Sequence, residues 1–267
     1  MAARTLACLG VTAPRFVQQA QPPGVPPLSL TGERTLPDVP AENYWYRRHV
    51  AVYEWIGARV LGARVIDMAC GEGYGSAVLA RGARSVVGVD ANPEAFEHAR
   101  LRYRADNLRF ERGLVATHGE PGSYDAVVFL QTIEHVDDPV SVLMHLRTLL
   151  APGGAVYVST PNLLTIAPPG AEKSTNPWHL KEYRAHEFDA LCRTVFACVE
   201  LLGLRHARRL RIHELALRGG WDAVHGRLGL TRWFYDRFTP AISARDFALA
   251  PHSLEQALDF LAICRES

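Results

Sequence analysis

Lysine is nearly missing from this chain. Only Lys173 and Lys181 occur among 267 residues, so arginine carries almost all of the positive charge. The 29 basic residues are balanced by 28 acids, for a formal net charge of +1. A chain so nearly neutral has no overall field to steer it to nucleic acid or to an acidic surface. No apolar run approaches the roughly 20 residues of a membrane span. The five cysteines, Cys8, Cys70, Cys192, Cys198 and Cys264, are odd in number and lack CxxC spacing. That argues against a disulfide framework and a thiolate zinc site, and fits a reducing compartment. The opening "MAARTLACLGVTAPRF" lacks a proper secretory apolar core. A cytoplasmic protein is therefore expected, with no nucleic-acid and no membrane partner.

What the chain does have is ordinary for a globular protein, with 48% hydrophobic and 21% charged residues. Residues 1–28 are rich in Pro, Gln and Ala, offer little to bury and are expected to form a disordered tail. Residues 29–267 are expected to make one domain. "PAENYWYRRHVAVYEWIGARV" reads as a helix. After it, "ARVIDMA", "SVVGVD", "NLRFERG", "YDAVVFL" and "AVYVSTPN" read as strands alternating with helices "YGSAVLARG", "PEAFEHARLRYR" and "DPVSVLMHLRTLL". Such alternation makes a parallel sheet covered on both faces. "ACVELLGLRHA" supplies a sixth strand and "ALDFLAICRE" a last one, with a helical insertion or lid over 207–256 between them. Asn92 with Pro93, and Asp137 and Asp138 before Pro139, read as helix caps.

"VIDMACGEGYGS" is a strand, a glycine turn and a helix start, where backbone approaches a ligand closely and free N–H groups point at it. Asp90 ends the second strand nineteen residues after Gly71, where an acid accepts both hydroxyls of a ribose. A dinucleotide loop would need a third glycine where Ser76 stands. Asp67, just before the turn, is a poor neighbour for a pyrophosphate and a good one for an ammonium group. The pair favours S-adenosylmethionine over a nicotinamide dinucleotide. A nicotinamide-dependent oxidoreductase and a non-catalytic binding protein on the same fold are the readings of other classes.

"VIDMACGEGYGS", "VVGVDANPEAFEHAR", "YDAVVFLQTIEHVDDP" and "LLAPGGAVYVSTPN", in this order, resemble the class I S-adenosylmethionine-dependent methyltransferases over about residues 45–205. The resemblance implies an α/β, Rossmann-like, seven-stranded sheet whose last strand runs antiparallel. It implies Asp67, Ala69 and Gly71 along the methionine part of the donor and Asp90 on its ribose. Gly73, Ala91 and Gln131 complete the expected donor set. Adenine would meet only backbone or apolar contact at Gly113 and Leu114. "LTGERTLPDVPAENYWYRRH" and "RDFALAPHSLEQALDFLAI" are similar to a smaller group. It comprises bacterial sugar O-methyltransferases of methylated glucose polysaccharides and their glucosylglycerate-type precursors. A small-molecule acceptor, a sugar, is expected, with a small quinol or phenol as the alternative within the class.

The polar stretch "FLQTIEHVDD" follows a buried strand, where ligands of parallel sheets sit. Its QxxEH spacing resembles the ExxEH of ubiquinone-pathway and small-RNA 2′-O-methyltransferases, in which the acids and histidine can hold a divalent metal. The resemblance implies Gln131, Glu134, His135 and a distant His179 as ligands of Mg²⁺ or Mn²⁺. The residues themselves leave two other readings open. His135, with Glu134, can act as a metal-free general base, or both can simply order the loop.

Overall fold

The computed structural model describes residue 18, residues 21–29 and residues 34–266. A 15-residue helix α1 (Asn43–Gly57) packs Val52, Tyr53 and Ile56 on the sheet. Strands β1 (Arg64–Met68), β2 (Ser85–Asp90), β3 (Leu108–Arg112), β4 (Tyr124–Leu130) and β5 (Leu150–Pro161) pair in parallel. Helices α2 (Tyr74–Leu79), α3 (Pro93–Arg102) and α4 (Pro139–Thr148) cross between them, and a short α5 (Leu163–Ile166) follows β5. β1, β4 and β5 are almost wholly buried because helices cover both faces, so their side chains are apolar on both sides. Two of the predicted caps form: Asn92 accepts from Glu94 and Ala95 N–H, and Asp138, rather than Asp137, caps α4 by accepting from Ser141 N–H.

The chain then makes α6 (Ala185–Arg193) and β6 (Cys198–His206). The insertion follows as α7 (Arg208–Arg218), α8 (Trp221–Arg227), α9 (Thr231–Phe238) and strand β7 (Phe247–Ala250), and β8 (Asp259–Arg265) is the last strand in sequence. The strand order is β3-β2-β1-β4-β5-β8-β6-β7. β8 runs antiparallel to both β5 and β6, as expected of the last strand. The sheet has eight strands, not seven. β7 comes from the tail of the insertion and pairs antiparallel with the outer edge of β6, where free backbone groups were available.

The expectation for residues 1–28 is corrected where they are described. Val25 and Leu28 are buried, and the Pro26 carbonyl accepts from His98 Nδ1 at 2.7 Å. Gln18 is buried and donates to Glu72 Oε1 at 3.1 Å. Arg102 donates to Gln21 Oε1 and Asp38 Oδ2. Few apolar residues suffice because polar groups of α3 and the glycine loop anchor the segment. Residues 1–17, 19 and 20 lie outside the described residues.

The insertion sits beyond the carboxyl ends of the strands. Asn43, at the start of α1, donates to the carbonyls of Thr239, Pro240 and Ile242. Tyr44 Oη meets His206 Nε2 at 2.8 Å. A buried Arg48–Asp259 pair ties α1 to the same end of β8, and Arg48 also donates to the Leu258 carbonyl.

Candidate active site

Sheet order reverses between β1 and β4, and a crevice opens there beyond the strand ends. It holds a cavity of about 330 Å³, within the range of ligand sites. Its wall includes Ala69, Gly71 and Glu72 after β1, Asp90 and Ala91 after β2, and Gln131 and His135 after β4.

Asp90 is fixed by its own loop. Gly71 N–H donates to one carboxylate oxygen at 2.8 Å and Asn92 N–H to the other at 2.9 Å. Each oxygen keeps a further lone pair for a ligand hydroxyl. Ala69 has φ of +56° and Gln131 +51°, so both strand ends at the cavity take left-handed backbone. Such strain in a non-glycine residue concentrates at functional sites. Ala69→Gly should relieve it and raise stability by about 1 kcal/mol, or roughly 2–4 °C in Tm. An unchanged thermal denaturation curve would show that the turn has relaxed around the methyl group.

Four of the expected donor residues, Gly73, Gly113, Leu114 and Asp67, are not on the wall. Gly73 has φ of +95°, and a Cβ there would stand 2.7 Å from the Ala99 methyl. The glycine lets α2 start close against α3, which is a packing role. Gly113 and Leu114 also lie off the cavity: Gly113 N–H bonds the Asp90 carbonyl, and Leu114 faces solvent.

Asp67 differs from the other three. It is wholly buried and accepts from Ser76 Oγ at 2.6 Å and Tyr53 Oη at 3.2 Å. Tyr53 lines the cavity and Asp67 does not. Spacing in sequence could not reveal that α1 supplies this hydroxyl donor. Burial pushes the Asp67 carboxyl up to about 7, against the opposing effect of its two hydroxyl donors. The folded chain thus keeps a proton that the unfolded chain loses near pH 4. This contribution to stability is full below about pH 4 and is lost as pH rises through about 7. Asp67→Asn should remove it, making the melting temperature fall less steeply across that window. Equal slopes for the two proteins would show an ionised Asp67.

Glu134, His135 and His179 each offer a ligand atom, and these atoms all lie within 4.8 Å of one another. The His135 and His179 rings meet edge to face at 5.0 Å, although 44 residues separate them. Residues 178–181 are pinned there because the Glu134 carbonyl accepts from the Leu180 and Lys181 N–H groups. His135 Nδ1 lies 2.9 Å from the Trp178 carbonyl, which can only accept. Nδ1 therefore carries the proton and Nε2 keeps its lone pair. His179 Nδ1 donates to Glu182 Oε1 at 2.6 Å, and its Nε2 accepts from Asn176 at 2.9 Å. Burial lowers the His179 pKa against the pull of Glu182, which favours the neutral ring. Burial pushes the Glu134 carboxyl up to about 8, although Thr160 Oγ1 donates to it at 3.1 Å. Gln131 donates its side-chain amide to Ser159 Oγ at 3.0 Å.

Arg34, Thr35, His49 and Tyr74 also line the cavity and were missed as site residues. Thr35 Oγ1 lies 2.9 Å from Tyr74 Oη and 3.3 Å from His49 Nδ1. Glu72, buried beside them, gathers Gln18, His98, Tyr103 and Arg102. The segment before α1 thereby closes one side of the cavity. Its only sequence signal was the stretch "LTGERTLPDVP".

The sequence pattern of a family described as a methyltransferase domain matches residues 44–195. The chain is 36% identical to a probable S-adenosylmethionine-dependent methyltransferase of Mycolicibacterium smegmatis, covering 88% of this chain and 94% of that one. It is 34% identical to a ubiquinone biosynthesis O-methyltransferase of Albidiferax ferrireducens, over 62% of this chain and 70% of that one. Its fold is similar to the crystal structure of an S-adenosylmethionine-dependent methyltransferase of Thermotoga maritima, described as a possible histamine N-methyltransferase. That match has a TM-score of 0.57 and 15% identity, over 84% of this chain and 92% of that one.

Proposed function

The chain belongs to the S-adenosylmethionine-dependent methyltransferases, and from that premise we propose that it methylates a hydroxyl of a small sugar or glycoside. The observation carrying the O-methyl assignment is the convergence of Glu134, His135 and His179 beside the cavity wall that bears Asp90 and Gly71. A sulfonium methyl needs only an aligned nucleophile, but a sugar hydroxyl is a weak one until its proton is drawn off. The free Nε2 of His135 is a group that can take that proton. Trp178, half exposed and joined to His135 through its carbonyl, offers a flat apolar face to a sugar ring. The resemblance of the segments around 30–49 and 245–263 supports the sugar class.

The three residues also suit a divalent ion. They supply one carboxylate and two imidazoles, with Glu182 on the far nitrogen of His179 as is usual behind metal-binding histidines. Two imidazoles favour Mn²⁺ over Mg²⁺, which prefers oxygen ligands. An ion held there would supply Lewis-acid polarisation of the acceptor oxygen. His135 and His179 would bind it through nitrogen lone pairs, His179 releasing Asn176 to do so. Glu134 would bind it by giving up its proton.

A second reading, methylation of a small quinol, is favoured by the ubiquinone biosynthesis relative. Transfer of labelled methyl from S-adenosylmethionine separates the two. Purified protein should label glycosides and glycosylated hydroxy acids and leave catechols unlabelled. Labelling of catechols alone would replace the sugar by a quinol, and labelling of amines alone would remove the O-methyl assignment.

A further inference from the structure

The helical insertion leaves apolar surface that nothing among the described residues covers. Fourteen large hydrophobic residues are exposed among the described residues, and seven of them fall between Ile212 and Trp233. On α7, Arg208, Arg211, Ile212, Leu215 and Arg218 are all exposed and recur at helical spacing, while Leu210 and His213 face inward. On α8 and its cap, Trp221, Val224 and Leu228 repeat the pattern. Trp233, on α9, is 55% exposed with Arg237 over its ring at 4.4 Å.

These residues are not the unfinished core of a loose segment. The insertion has its own interior, in which Phe234 stacks on His213, His225 and Phe238 with ring planes within 16°. The outward residues are surplus to it.

Charge in the same stretch is lopsided. Residues 207–238 hold seven arginines and three acids, a net of +4 in a chain whose total is +1. All three acids are engaged locally: Glu214 with Arg218 and His206, Asp222 with His225, and Asp236 with Arg232. Arg208, Arg211 and Arg227 are exposed, with no acidic partner among the described residues.

We propose that α7–α9 dock the enzyme on an anionic lipid surface, with Trp221, Trp233, Ile212 and Leu215 entering the headgroup boundary and the free arginines meeting lipid phosphates. Short helices with arginine beside exposed Trp and Leu are built to lie in such an interface. A symmetric contact between two copies would set one +4 face against another. Nucleic acid would use the arginines but not the exposed Ile212, Leu215, Val224 and Leu228. The insertion stands beyond the carboxyl ends of the strands, so docking would bring the open side of the catalytic crevice toward the membrane. The expectation of no membrane partner rested on the whole-chain charge and on the lack of a spanning apolar run, and neither registers this segment.

The test is co-sedimentation of the full chain with vesicles of phosphatidylcholine, with and without phosphatidylglycerol. Binding is expected only with the anionic lipid and should weaken with salt. Arg208→Gln, Arg211→Gln and Arg227→Gln together should lower partitioning on the order of a hundredfold, at about fivefold for each basic residue near the surface. Ile212→Ser, Leu215→Ser and Trp233→Ser together should lower it at least about tenfold. All six positions are solvent-facing, so melting temperature and S-adenosylmethionine affinity should stay as in the parent. The proposal is overturned if the parent ignores anionic vesicles, or if both variants bind them as the parent does. It is equally overturned if RNA displaces the bound protein from vesicles it would otherwise hold, or if sedimentation velocity shows a dimer that the serine variant separates.

Discussion

Replacing His135 with Ala is expected to lower methyl transfer by about 10²- to 10⁴-fold, the usual contribution of a positioned general base or acid. The ring is held by its Nδ1–H on the Trp178 carbonyl, so its only free function is the Nε2 lone pair beside Glu134 and His179. Glu134→Gln isolates the charge from the shape. The buried carboxyl has its pKa pushed up to about 8, so near neutral pH it is mostly protonated and an amide is its close mimic. Gln should therefore leave the melting temperature nearly unchanged while preventing the ionised form. If a divalent ion is used, Glu134→Gln should cut turnover as deeply as His135→Ala. Chelator should do the same to the parent, with Mn²⁺ restoring the rate better than Mg²⁺. If chelator has no effect while His135→Ala abolishes turnover, the metal is wrong and His135 is the base. If both variants lose rate only in proportion to lost stability, the cluster is scaffolding. S-adenosylmethionine affinity should be nearly unchanged in both, because neither group lies on the Gly71 and Asp90 side of the cavity.

The parallel half of the sheet was legible because each strand is a short apolar run closed by a turn or cap with a local chemical reason, as at Asn92 and Asp138. β7 was not legible. "FALA" is too short to carry a period, and its pairing with β6 depends on where the insertion delivers it. The same limit applies at the site. Gly71, Asp90 and Ala91 follow from strand–turn–helix geometry, which is local. His135 could be joined to His179 only through a family resemblance, since the link depends on a loop pinned by the Glu134 carbonyl. The burial of Asp67 was not legible, because its Tyr53 hydroxyl donor comes from α1, earlier in the chain. Arg34 and Thr35 were passed over because the segment before α1 reads as irregular. Its anchors on Glu72, His98 and Arg102 are single polar contacts with no period to detect.

Asp90→Ala should weaken S-adenosylmethionine binding at least about a hundredfold. Its carboxylate can accept from both ribose hydroxyls, and hydrogen bonds to a charged acceptor contribute about 1.5–3 kcal/mol each. Two such bonds lost at the lower figure already amount to about 3 kcal/mol, or roughly 150-fold in affinity. The same carboxylate also holds the Gly71 and Asn92 N–H groups, so alanine leaves two donors without partners and loosens the turn under the ligand. Asp90→Asn separates these roles. Its amide oxygen can satisfy one backbone N–H, but its NH₂ meets the other as donor against donor and cannot accept from a hydroxyl. Binding should therefore fall almost as far as in the alanine variant, with a smaller loss of stability. Titration calorimetry on both variants, beside their melting curves without ligand, decides the matter. Parent-like affinity in a variant with a lowered melting temperature would leave Asp90 as a fastener of the glycine loop and move ribose recognition elsewhere on the wall.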